Sequence, residues 1–266
     1  MIIDHDNRTP FTWWLKKIDK ILWKPDYSEL IILFWYMSSW KTEFSYFTAR
    51  ENAKTEKVCY ISLELDEYNM KLRICRKRAC VSKYDYQTWN YTENQKQIMD
   101  EYLQEIESIE NLRIKKPQKN TLLEIERTIR MWYDAWFRMF VIDNLDKILW
   151  DEDEIKRHQH ITSSLQDLKN ELRICIILIH HAKKPPNKQQ QYMPAWMSWL
   201  RGSQKILDNA TQVIEIFRDL DPEQEDKREK SKVMLFQYKD TFEWWNGITD
   251  IYFKEWNYHE QYPEPM

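Results

Sequence analysis

The chain has 266 residues, 42 % hydrophobic and 31 % charged, with a net charge of −3. This is the make-up of a globular protein, fits one large α/β domain as easily as two small ones, and excludes nucleic-acid binding by bulk charge alone. Four scattered cysteines (Cys59, Cys75, Cys80, Cys175) with no Cys-x-x-Cys spacing argue against disulfides and a zinc site, and the longest apolar runs, 30–37 and 174–179, are too short to span a bilayer.

Short apolar runs alternate with amphipathic stretches, the pattern of a mostly parallel sheet with crossover helices. In chain order the sequence predicts a strand over 29–34, a helix over 42–53, a strand over 57–63 and helices over 66–78 and 93–109. A strand over 112–114, a helix over 121–133, a strand over 138–142, a helix over 158–171 and a strand over 173–179 follow. Three further strands are predicted over 212–217, 232–238 and 249–254. The stretch 183–199, with three prolines and a glutamine run, and the mixed-charge stretch 219–231 read as surface loops. No basic-then-apolar signal opens the chain, so a cytoplasmic protein without membrane contact is expected.

Fourteen tryptophans stand against two glycines. Ordinary glycine usage of about 7 % would place about 19 glycines in this length. The tryptophan and glycine counts together come to about 6 % of the chain, close to that share. The tryptophans also occupy places that suit glycine. Trp13 and Trp14, and Trp244 and Trp245, are adjacent pairs whose members on a strand would face opposite ways. Trp23, Trp150 and Trp256 follow apolar segments beside charged residues, where a helix or strand stop favours glycine.

Reading tryptophan as glycine turns residues 35–42, W-Y-M-S-S-W-K-T, into G-Y-M-S-S-G-K-T. That is the phosphate-binding loop G-x-x-x-x-G-K-[ST], set directly after a predicted strand and before a predicted helix. The first glycine permits the tight turn, and the second lets backbone N–H groups approach phosphates beside a helix N-terminus. An indole at either position would block the turn or fill the phosphate cavity. The sequence therefore points to tryptophans that are mostly glycines in the native protein, through a UGA codon that the cell decodes as glycine.

Six other segments carry chemistry: 10–22 (P-F-T-W-W-L-K-K-I-D-K-I-L), 60–65 (Y-I-S-L-E-L), 140–145 (F-V-I-D-N-L), 176–185 (I-I-L-I-H-H-A-K-K-P), 200–206 (L-R-G-S-Q-K-I) and 237–242 (Q-Y-K-D-T-F). Asp143 emerges from an apolar run at the strand edge where α/β sheets bind ligands, and Glu64 ends another strand in the same way. On a strand His180 faces away from His181, which disfavours a bis-histidine metal site.

With glycine for tryptophan, residues 9–262 resemble the RecA-like ATPase domain of DnaB-like replicative helicases, nearest to the helicase half of phage primase-helicases. The resemblance implies an α/β RecA-like P-loop NTPase fold: a mostly parallel central sheet flanked by helices, with a C-terminal antiparallel extension. Residues 1–25 would form an N-terminal leading segment or linker, and 26–266 the ATPase domain. The family's separate N-terminal primase or primase-interacting domain is not expected within these residues.

The implied substrate is ATP and the implied cofactor Mg²⁺. Trp35, Tyr36, Met37, Ser38, Ser39 and Trp40 would form the phosphate loop, with Lys41 on the β/γ-phosphates and Thr42 and Asp143 on the metal. Glu64 would activate the attacking water, and His181 would sense the γ-phosphate. Arg218 matches a position near the adenine, and Lys239 a lysine that reaches a neighbouring subunit's nucleotide. Lys183, Lys188, Arg201, Gly202, Ser203 and Lys205 would contact single-stranded DNA near the channel of a head-to-tail homo-oligomeric ring, a hexamer in the family. A primase or loader is the further partner implied. The arginine-finger position holds Thr241, which casts doubt on fast ring-coupled hydrolysis. Two other readings stay open: a RecA-like ATPase that does not unwind DNA, such as a recombination mediator or regulator, and a nucleotide-dead DNA- or protein-binding module if the tryptophans are genuine.

Overall fold

Six parallel strands form the centre of the sheet: β1 (Leu30–Trp35), β2 (Val58–Ser62), β3 (Leu112–Lys115), β4 (Met139–Asp143), β5 (Cys175–His181) and β6 (Gln212–Arg218). Antiparallel β7 (Lys232–Asp240), β8 (Ile248–Lys254) and β9 (Asn257–His259) extend it beyond β6, in the order β3-β2-β4-β5-β1-β6-β7-β8-β9. Every residue of β2 and β4 is buried, as near-continuous apolar strands are when helices cover both faces. The computed structural model describes residues 11–22, 24–35, 41–149, 154–182, 194, 203–218, 232–240, 247–254 and 257–262.

The helices are α1 (Lys16–Ile21), α2 (Lys41–Asn52), α3 (Glu67–Arg78), α4 (Lys83–Gln87), α5 (Glu93–Ser108), α6 (Leu122–Asp134), α7 (Glu154–Leu172) and α8 (Ser203–Asn209). Side-chain caps start several of them: Asp66 accepts from the Asn69 N–H, and Thr92 and Gln95 form a reciprocal capping box. α1 docks on β8 through a 2.9 Å Lys17–Asp250 ion pair, with Trp13, Ile18 and Leu22 buried in the core. Gly247 permits this approach, since a Cβ there would stand 2.5 Å from the Ile21 carbonyl oxygen.

The eight strands and five helices expected from the sequence are present, with ends shifted by up to four residues. The strand expected from 173 begins at Cys175 because Arg173 closes α7 in a left-handed conformation, φ 51°. The short elements β9, α1, α4 and α8 were not expected. Among the described residues no helix is long and apolar enough to cross a membrane.

Two helix ends bear on the tryptophan excess. α4 closes with the Trp89 N–H donating to the Tyr86 carbonyl (3.4 Å) and the Asn90 N–H to that of Asp85 (2.8 Å). α6 closes in the same way, Trp136 to Tyr133 (2.9 Å) and Phe137 to Trp132 (3.0 Å). These paired bonds define the Schellman motif, whose left-handed residue is usually glycine. Here that residue is tryptophan, with φ 58° at Trp89 and 70° at Trp136. Trp14 is also left-handed, φ 64°, so three of the six non-glycine residues with positive φ among those described are tryptophans.

Candidate active site

The C-terminal ends of the parallel strands converge where the chain leaves β1 into α2, a switch point of strand order with β5 on one side of β1 and β6 on the other. Ser62 stands in register with Asp143, and the Leu63 N–H donates to the Asp143 carbonyl at 2.7 Å, which brings Glu64 beside the end of β4. His181 ends β5 in register with Trp35 at the end of β1. Four apolar residues bury β4, and the carboxylate of Asp143, the fifth, emerges at the edge.

Thr42 Oγ1, on the first turn of α2, donates to Asp143 Oδ2 at 2.8 Å. The Tyr60 hydroxyl donates to the same oxygen at 2.8 Å and lies 3.0 Å from Ser45 Oγ. Burial, followed by the charge of Asp143, raises the Tyr60 pKa well above its ordinary value, so the phenol stays protonated as a donor. On the other side of Asp143, the Asn144 side-chain nitrogen lies 3.3 Å from Glu64 Oε1 and 3.2 Å from His181 Nε2. Lys147 Nζ adds a half-exposed ion pair with Glu64 at 3.5 Å. Thr42, Asp143, Glu64 and His181, chosen from separate sequence segments, therefore meet at one edge.

Arg218 ends β6 on the same edge, and burial lowers its pKa against the opposing influence of Tyr258. Lys239 does not join this group. It stands in register with Val213 at the start of β6, on the opposite edge of the sheet, and donates to the Leu207 and Asp208 carbonyls of α8. Trp35, Lys41, Ser203 and Lys205 are placed by backbone alone, at the end of β1 and the starts of α2 and α8. Residues 36–40, including Trp40, and Lys183, Lys188, Arg201 and Gly202 lie outside the described residues, so the expected crowding of the loop by two indoles falls there as well.

Asp146 is a second organiser that sequence reasoning missed. Its Oδ2 accepts the His181 N–H at 3.2 Å, and its carboxylate faces His180 Nδ1 at 3.6 Å and His158 Nε2 at 3.7 Å. These three side chains bring possible metal-ligand atoms within 4.8 Å of one another. Arg157, however, donates to His158 Nε2 at 2.9 Å. A guanidinium on that lone pair occupies the place a metal would take, so the cluster is a buried polar group gathered around Asp146. Asn144 and Tyr60 were also missed, although each sits inside a motif read for another residue.

The sequence matches the DnaB-like helicase C terminal domain over residues 13–241. The chain belongs to this family. It carries a helicase-type ATPase domain of RecA-like fold. No sequence among curated proteins matches it. Among solved structures, an ATPase domain superposes with a TM-score of 0.81 at 17 % identity, over 97 % of this chain and 93 % of its own. A DnaB-like replicative helicase, solved with regard to its interactions with primase, superposes at 0.80 and 17 % identity over 94 % of this chain. This chain spans 62 % of that helicase. At such identities the likeness speaks for the fold, and the fold is the one the motifs imply.

Proposed function

We propose that the native protein is the motor of a DnaB-like helicase, hydrolysing ATP to translocate on single-stranded DNA during replication. The observation that carries this reading is the 2.8 Å Thr42–Asp143 contact. A hydroxyl and a carboxylate from the phosphate loop and the sheet edge are the hard oxygen ligands that Mg²⁺ takes, so the residues fit the metal. Bound there, Mg²⁺ would neutralise charge on the triphosphate. Lys41 would bind the β- and γ-phosphates, Glu64 would orient and deprotonate the attacking water, and His181 would contact the γ-phosphate. The segment from Arg201 to Lys205, with Lys183 and Lys188, would bear on DNA phosphates in a head-to-tail ring, and Arg218 on the base of the nucleotide. Lys239 would serve a neighbouring subunit's site, and its place on the far edge suits that better than service to its own. A primase or loader is the further partner this reading implies, and the cytoplasm the compartment.

The reading requires glycine at positions 35 and 40, and we infer that the cell supplies it by decoding UGA as glycine. The left-handed Trp89 and Trp136 support this independently of any motif, because both stand where a helix end calls for glycine. The test is the codons at the fourteen tryptophan positions, with the intact mass of the natively expressed protein and its ATP hydrolysis with and without single-stranded DNA. UGA codons, a mass lighter by one indolylmethyl group per recoded site and DNA-stimulated hydrolysis are expected. UGG codons and the full tryptophan mass would leave a nucleotide-dead binding module. Thr241 at the arginine-finger position favours the second reading, an ATPase that does not unwind. Hydrolysis without strand displacement would select it.

A further inference from the structure

Asn144 follows Asp143 directly and is 3 % exposed. Its amide nitrogen lies 3.3 Å from Glu64 Oε1 and 3.2 Å from His181 Nε2. That nitrogen carries two hydrogens, one for each partner. The Glu64 carboxylate only accepts, and turning the amide over would set Oδ1 against it. Glu64 therefore fixes which end of the amide faces the imidazole. His181 Nε2 must then accept, which keeps the imidazole proton on Nδ1. Asn144 Oδ1 is buried and makes no hydrogen bond among the described residues. A buried acceptor left so works against stability, so packing alone does not account for asparagine here.

We propose that Asn144 is a positioning residue that couples the γ-phosphate contact of His181 to the water-activating carboxylate of Glu64; this rests on the roles given to those two groups above. To donate to a phosphoryl oxygen through Nε2, His181 must take up a proton there from solvent water, becoming an imidazolium that keeps its Nδ1 proton, and it then releases the Asn144 hydrogen bond. The amide is held by Glu64 alone, and the carboxylate settles where water is attacked from. When phosphate leaves, Nε2 gives that proton back to solvent water and accepts again, and Glu64 shares the amide once more. Asn144 itself touches neither water nor phosphate.

The variants are Asn144→Leu, which removes the amide, and Asn144→Asp, which keeps its shape but presents only acceptors. In the natively expressed protein both should lower kcat for ATP by about 10- to 100-fold, with KM changed by no more than about twofold because the phosphate loop and Lys41, which Asn144 does not touch, supply most of the triphosphate binding. Imidazole ¹⁵N resonances of the nucleotide-free protein supply a readout separate from activity. His181 should be the Nδ1–H tautomer in the parent, shift toward Nε2–H in Asn144→Asp and become mixed in Asn144→Leu. An unchanged tautomer in both variants, or an unchanged kcat, overturns the proposal. If the parent hydrolyses no ATP, the proposed function fails by itself, and the proposed coupling falls with it, while the tautomer still reports the contact.

Discussion

Thr42 and Asp143, 101 positions apart in the chain, are joined by a 2.8 Å hydrogen bond at the edge of the sheet. The bond places a hydroxyl and a carboxylate side by side, with Tyr60 as a second donor to the same oxygen. Asp143→Asn keeps the shape and an oxygen acceptor but removes the negative charge that a divalent cation needs. Magnesium-dependent ATP hydrolysis by the natively expressed protein should fall about 100-fold or more, while the far-ultraviolet dichroism spectrum stays that of the parent. Phosphate release is the measurement. Hydrolysis at the parent rate would overturn the proposed role of Asp143 in holding Mg²⁺.

Asp146 gives a pH dependence of known sign. Burial raises its pKa, but the hydrogen bond and charge of His180 outweigh that and hold it well below the usual carboxylate range. A carboxyl whose folded pKa is depressed stabilises the fold above its unfolded pKa and loses that contribution as pH falls through the folded value. Asp146→Asn should therefore unfold at lower urea than the parent at neutral pH. The gap should hold down to about pH 5, begin to narrow near about pH 4 and disappear only in strongly acid solution, below the depressed folded value. A gap that stayed constant to strongly acid pH would assign the effect to packing rather than to ionisation.

The parallel strands were legible because burial on both faces leaves continuous apolar runs, as in I-I-L-F of β1 and F-V-I of β4. Asp143 and Glu64 were legible because each stands at the end of such a run, where this topology binds ligands, whereas Thr42 came from the phosphate-loop spacing and His181 from the family resemblance. The six-residue α1 and three-residue β9 were not, because so few residues show no period and tertiary docking holds them in place. Asn144 was hidden for another reason. Its partners lie 80 and 37 positions away, and an asparagine after a strand reads as a turn residue until the sheet brings those partners to it. The place of Lys239 on the far edge likewise follows only from the antiparallel register of β7.

Lys239 has a stabilising task within its own chain. Its ammonium group donates to the Leu207 and Asp208 carbonyls, which belong to the last turn of α8 and have no partners further along that helix. Burial lowers its pKa while Asp208 raises it, and the balance is downward. Lys239→Met removes a cation from a helix C-terminus and two hydrogen bonds, so stability should fall by about 1 kcal/mol. Urea unfolding of the parent and variant measures this. An unchanged midpoint would mean that the lysine is held for use outside its own chain, at the neighbouring site proposed above.

Trp89 and Trp136 carry the sharpest prediction. An L-residue with a Cβ in the left-handed region costs about 1–2 kcal/mol relative to glycine, and both indoles are largely solvent-exposed, at 80 % and 60 %, with little burial to offset that cost. In the tryptophan-bearing chain, Trp89→Gly and Trp136→Gly should each raise stability by about 1 kcal/mol. They close different helices, so the double variant should gain nearly the sum. Trp132 is the control. It lies inside α6 with its ring edge-on to Phe137 at 4.8 Å, and glycine there forfeits about 1 kcal/mol of helix propensity as well as that contact. Urea midpoints should thus move up for positions 89 and 136 and down for 132, and the codons should divide in the same way, UGA at the first two and UGG at the third. Loss of stability at 89 and 136 together with UGG codons there would make these tryptophans native. If positions 35 and 40 carried UGG as well, Trp35 and Trp40 would stand too, and the phosphate loop on which ATP hydrolysis depends would be absent.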